Sequence, residues 1–170
     1  MFGQAANMIA AILLLAANAP KPGCDLANIN SARDLHETLG RRAAMIVAAA
    51  SVSGPKADAT LGRLLDPTAT FDLGAGDVGR PLGKGLPGVR SLAITMNADQ
   101  FRFLGWDYMD REVDACSKQS VKVDFVSSTD RQVSQLEFTF EQGRLVTAIG
   151  WQRSFESGSL PTPASTREGS

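Results

Sequence analysis

The chain has little of what most reactions are built from. Its 170 residues include one histidine, one tyrosine and two cysteines. A serine or cysteine hydrolase needs a histidine base. His36 is the sole candidate, it sits beside an apolar helix position at Leu35, and no G-x-S-x-G accompanies it. One histidine and no cysteine cluster do not make a zinc-ligand set, so no metal site is expected. Charge of one sign is also lacking: 17 Lys and Arg against 18 Asp and Glu leave −1. A nucleic-acid binder carries a basic excess or stripe, and a membrane-surface patch carries a run of like charge; neither is present. No apolar run approaches the roughly 20 residues that a transmembrane helix requires.

What is there is an ordinary globular composition, 44% hydrophobic and 21% charged, in a length that suits one domain. A folded part from Asp25 to Glu156 is large enough to bury a core without metal support. Ahead of it, Met8 to Ala19 reads MIAAILLLAANA, too short for a span and suited to the apolar region of a secretory signal peptide. Residues 1–19 are therefore read as a signal peptide, cut after Ala17 or Ala19, with an apolar first helix packed on the domain as the competing reading. The expected location is periplasmic or secreted. In an oxidising compartment an even cysteine count reads as a disulfide, so Cys24 and Cys116 are expected to pin the mature N-terminus to the sheet. Residues 157–170, rich in Ser, Pro and Thr, read as a disordered tail.

Between these ends the pattern changes twice. Ser31 is a good N-cap, and Leu35, Leu39, Ile46 and Ala50 recur at helical spacing until Ser53-Gly54-Pro55 breaks the helix. A second helix is expected over 56–65, ended by Pro67. Residues 68–73 (TATFDL) read as a short strand, 74–88 as loop, and 89–97 as a third helix. From Gln100 onward apolar residues alternate: Phe101 and Phe103; Trp106 and Tyr108; Val121, Val123 and Phe125; Leu136, Phe138 and Phe140; Leu145, Thr147, Ile149 and Trp151. Gln142-Gly143 is a tight-turn signal, and the last three runs read as an antiparallel meander because their connections are too short for crossovers.

Gly74-Ala75-Gly76-Asp77-Val78-Gly79 matches G-x-G-x-x-G in letters. The dinucleotide fingerprint needs a helix to begin there, and Pro81 with the glycines that follow forbids it, so no cofactor is expected. Arg80, Lys84 and Arg90 give that loop a cationic character. Three acids interrupt apolar strands: Asp72, Asp107 and Asp124. A carboxylate in an apolar cavity has a raised pKa and serves as general acid or base; on the polar side of a strand it is merely solvated. The alternation puts Asp124 on the solvated side.

The order helix, helix, strand, glycine-rich loop, helix, strands resembles the nuclear transport factor two-like superfamily, which includes the SnoaL-like cyclases and ketosteroid isomerases. LLDPTATFDLGAG and SQLEFTFEQGRLVTAIGWQRSFE carry the resemblance, which covers about Ser31 to Glu156. It implies an α+β fold, a curved antiparallel sheet forming a cone closed by N-terminal helices, with cystatin-like or lipocalin-like packing as competitors. The family's isomerases use a tyrosine on the first helix and an aspartate after the first strand. Here the tyrosine is Tyr108, in the sheet, and ATFDL puts Leu73 in the aspartate's slot with Asp72 beside it. The resemblance thus leaves Asp72, Asp107 and Tyr108 as candidate catalytic groups. Trp106, Phe138, Phe140, Trp151 and Arg80 are candidate binding residues, the aromatics serving either as core or as a ligand platform. Members of the superfamily include enzymes and non-catalytic binding domains, so fold does not settle function. The expected activity is binding of a small apolar ligand or a protein partner, including a second copy through the sheet. A small lyase, isomerase or cyclase and a structural part of an envelope assembly are the alternatives.

Overall fold

The computed structural model describes residues 23–103 and 111–155. The expected signal peptide and tail, and Trp106, Asp107 and Tyr108, lie outside the described residues. Within them the elements run α1 (Ala32–Ala50), α2 (Pro55–Leu64), β1 (Leu65–Ala75), β2 (Pro81–Lys84), α3 (Gly85–Met96), β3 (Gln100–Phe103), β4 (Gln119–Ser127), β5 (Gln132–Glu141) and β6 (Arg144–Ser154).

The helices form where the sequence punctuates them. Ser31 Oγ accepts the Asp34 N–H at the start of α1, and Leu35, Leu39, Ala43, Ile46 and Ala50 bury one face. Pro55 stands in the first turn of α2, where its missing N–H costs nothing. Asn97, at φ 44°, ends α3 in the left-handed region, which asparagine tolerates.

The strands form one sheet in the order β2-β1-β6-β5-β4-β3. The β4–β5–β6 meander is present, each pair antiparallel. The sheet as a whole is mixed rather than antiparallel, because β1 pairs parallel to β6. Nor does it close: β2 and β3 are its two edges. The three helices cover one face. Their apolar residues meet Phe71, Leu73, Val121, Val123, Leu136, Phe138, Phe140, Leu145 and Ala148 in a single core.

Two expectations change at proline and glycine. The second helix ends before Pro67, at Leu64, but the strand that the sequence places at 68–73 starts at Leu65 and runs through Pro67. The β1–β6 register slips between Leu65 and Thr70, so Pro67 stands where no ladder donor is required. The 74–88 segment is not loop throughout: it holds the end of β1, all of β2 and the first turn of α3. Its glycines permit close approach. A β-carbon on Gly88 would stand 2.7 Å from both the Gly83 carbonyl and the Phe71 ring, so α3 seats against the β1–β2 hairpin only with glycine there.

The cysteines are joined, Cys24 to Cys116, across a sequence separation of 92. The N-terminal segment is tied a second time by Arg42. Its guanidinium donates to both Asp25 oxygens at 2.9 Å and to the Gly143 carbonyl at 2.5 Å. These bonds hold the Asp25 carboxyl below its ordinary pKa. Leu26 lies buried in the core beside them.

Candidate functional site

The face of the sheet away from the helices is where the unusual side chains collect. Register decides which residues share it. In β5, Leu136, Phe138 and Phe140 point to the core, and their partners on β6 are Gly150, Ala148 and Leu145. Thr139 pairs with Thr147 but Phe140 with Leu145, so β6 carries one extra residue, a β-bulge at Val146. A bulge shifts the alternation of its strand. Beyond it Thr147, Ile149 and Trp151 point outward. Simple alternation from Leu145 puts these three on the core side; the bulge sends them the other way.

Outward Ile149 and Trp151 are 53% and 49% exposed. With Lys122, Gln135, Glu137, Thr139 and Thr147 they line a groove of about 340 Å³. The groove floor is a grid. Lys122 pairs with Glu137 at 3.9 Å. The Thr70 hydroxyl donates to that of Thr147 at 3.1 Å, and those of Ser120 and Thr139 share a bond at 3.0 Å.

One row crosses five strands: Arg102, Asp124, Gln135, Trp151 and Gly74 stand side by side. Asp124 was expected to be solvated. It does lie on the outward side, opposite Val123 and Phe125, but it is only 3% exposed. Gln135 Nε2 donates to its Oδ1 at 3.1 Å, and Arg102 Nη2 stands 3.6 Å from its Oδ2. A buried carboxylate persists only with such partners. The alternation gives its direction and is silent about the partners that hold it.

The other candidates separate from this row. Phe138 and Phe140 are fully buried core, Phe138 tilted against Phe125 with centroids 5.9 Å apart. Asp72 stands outward between Pro81 and Ile149 in register, and its Oδ1 accepts the Arg80 N–H at 3.1 Å. Arg80 itself is exposed. The G-x-G-x-x-G run is the β1–β2 hairpin, closed by a bridge from Ala75 to Val78. His36 is half-buried, and burial together with the Arg111 charge pushes its imidazole below the ordinary pKa. Among the described residues no group of three or more His, Cys, Asp or Glu is placed to hold a metal ion, and no helix is long and apolar enough to cross a membrane.

Gln135, Lys122, Glu137, Thr139, Thr147 and Ile149 were not singled out from sequence. The available signal was the run of polar residues at every second position of β4 and β5, which reads as solvated surface unless an exposed aromatic is known to stand among them.

The chain is similar in structure to a cystatin-like fold protein from Burkholderia xenovorans, at 10% identity, TM-score 0.44, over 74% of this chain and 96% of that one. It is similar to an NTF-2 like protein of unknown function from Silicibacter pomeroyi, at 12% identity, TM-score 0.41, over 69% and 92%. A de novo designed NTF2 fold protein matches at 10% identity, TM-score 0.40, over 68% and 85%. No family model matches the chain, and no curated protein matches it. The domain has an α+β fold: helices laid on one face of an open mixed sheet whose first strand lies beside its last.

Proposed function

We propose that residues 25–156 form an exported, non-catalytic binding domain that engages its ligand or partner on the outward face of the sheet. The observation that carries this reading is the Trp151 groove. A large aromatic left half exposed beside Ile149 and among polar side chains, on a face that none of the described helices covers, has the composition of a binding surface.

Export is supported by the disulfide, since cytosolic thiols are held reduced, and by the leader-like residues 1–19. The catalytic alternative, a lyase, isomerase or cyclase, requires a carboxylate inside the cone. Asp72, which stands on the outward side of the sheet beside Ile149 with its Oδ1 already bonded to a backbone N–H, favours the binding reading over it.

Native mass spectrometry on the full chain, expressed with its own N-terminus and purified from the periplasm without refolding, tests both parts. A cleaved species two hydrogens lighter than the dithiol, retaining a small molecule or a second copy that Trp151→Ala releases, is the expected result. An uncleaved, reduced protein would overturn export. Retention that Trp151→Ala leaves unchanged would overturn the assignment of the face.

A further inference from the structure

The groove's chemistry narrows what it takes, granting that the domain binds there. Its charges cancel on the spot. Lys122 is matched by Glu137 within the groove, and Arg102 by Asp124 beside it, so the lining residues carry no net formal charge. Five of its eight lining residues are polar: Lys122, Gln135, Glu137, Thr139 and Thr147. A purely apolar ligand would leave those groups desolvated without partners. Protein interfaces deplete Lys and Glu at their centres, yet here they flank the apolar pair directly. An uncharged ligand rich in hydroxyls meets all three conditions.

Two features pre-organise the groove for such a ligand. The six-membered ring of Trp151 lies over Gly74, where any β-carbon would stand 2.3 Å from Cζ3. The ring is thereby braced against the sheet through Cε3, Cζ3 and Cη2 while the side chain stays half exposed. Gln135 is held as well: its Nε2 is committed to Asp124 Oδ1, so its Oε1 is left as a hydrogen-bond acceptor on the side away from Asp124. A flat apolar platform next to an oriented acceptor and a Lys–Glu pair complements a pyranose ring, which has C–H groups on one face and hydroxyls around its edge. The groove's roughly 340 Å³ falls within the range of small-ligand sites.

We propose that the outward sheet face is a carbohydrate site, in which a neutral sugar ring stacks on Trp151 while Gln135 and the Lys122–Glu137 pair bond its hydroxyls. Asp124 is a positioning residue that fixes the Gln135 amide.

The test uses the oxidised full chain on an array of neutral oligosaccharides covering α- and β-linked glucose, N-acetylglucosamine, mannose and galactose, with calorimetry on the hits. Binding to at least one linkage is expected, lost in Trp151→Ala and weakened about tenfold in Gln135→Leu. Asp124→Asn is expected to weaken binding while Asp124→Ala weakens it further, a graded response that distinguishes amide positioning from bulk stability when melting temperatures are compared. No binding to any sugar on the array, or sugar binding that Trp151→Ala leaves intact, overturns the proposal. If in the first case native mass spectrometry still shows a Trp151-dependent second copy or non-sugar ligand, the carbohydrate assignment alone falls and the binding-domain reading stands. If nothing depends on Trp151, both fall.

Discussion

Trp151 and Gly74 are register partners across the parallel β1–β6 ladder, and the indole occupies the space a side chain on Gly74 would need. Gly74→Ala is therefore expected to cost about 1–3 kcal/mol, the range for overpacking. In a Trp151→Ala background the same substitution should be close to neutral. A double-mutant cycle by urea denaturation measures the difference; equal effects in the two backgrounds would show that the two residues do not compete for this space.

The two aromatics on neighbouring strands should behave oppositely. Phe138 is fully buried, and Phe138→Ala is expected to lose about 3–5 kcal/mol. Trp151 is half exposed, and its removal should change stability by no more than about 1 kcal/mol. Equilibrium unfolding of the two variants separates core from surface, and comparable losses would contradict the outward placement of Trp151.

The Cys24–Cys116 bridge closes a long loop. Replacing both cysteines with serine is expected to lower stability by about 2–5 kcal/mol. The thermal transition should fall in step with dithiothreitol added to the native protein, and the double variant should no longer respond to reductant. A transition insensitive to reductant in the native protein would remove the bridge from the account.

His36 gives a pH signature of unusual direction. Burial, then the Arg111 charge, lower its folded pKa, so below about 6.5 the unfolded chain takes up a proton that the folded chain does not. Stability then rises with pH through this window and falls as pH drops from about 6.5 through the folded value. Denaturant midpoints between pH 7.5 and 5 should decline in the native protein and flatten in His36→Gln. A native profile that rises toward low pH would reverse the sign and refute the burial argument.

Much of the fold was legible because local signals agreed. The Ser31 cap, the break at Ser53-Gly54-Pro55 and the Gln142-Gly143 turn each fell where the elements begin or end. What was hidden depended on partners distant in sequence. Nothing near TATFDL announces a parallel neighbour some eighty residues later, because parallel pairing leaves no hairpin signal. The site was less legible than the fold for a sharper reason. One extra residue at Val146 reverses every side chain after it, so Trp151 was recognisable as a binding candidate while its direction was not. Asp124 shows the complementary gap. Period two fixed its face correctly, but its polar partners, Arg102 and Gln135, lie on two other strands, and no pattern within β4 contains them.

The parallel β1–β6 ladder also sets the schedule of folding. β1 is synthesised early and β6 last of the described strands, yet they are adjacent in the middle of the sheet, with β2 outside one and β5 beside the other. An emerging chain that has made β1 and β2 therefore has only an isolated hairpin, which is marginal in water. The sheet's centre waits for the final strand, and closing so long a loop makes the step slow. The two halves of the sheet are joined only once that last described strand is in place.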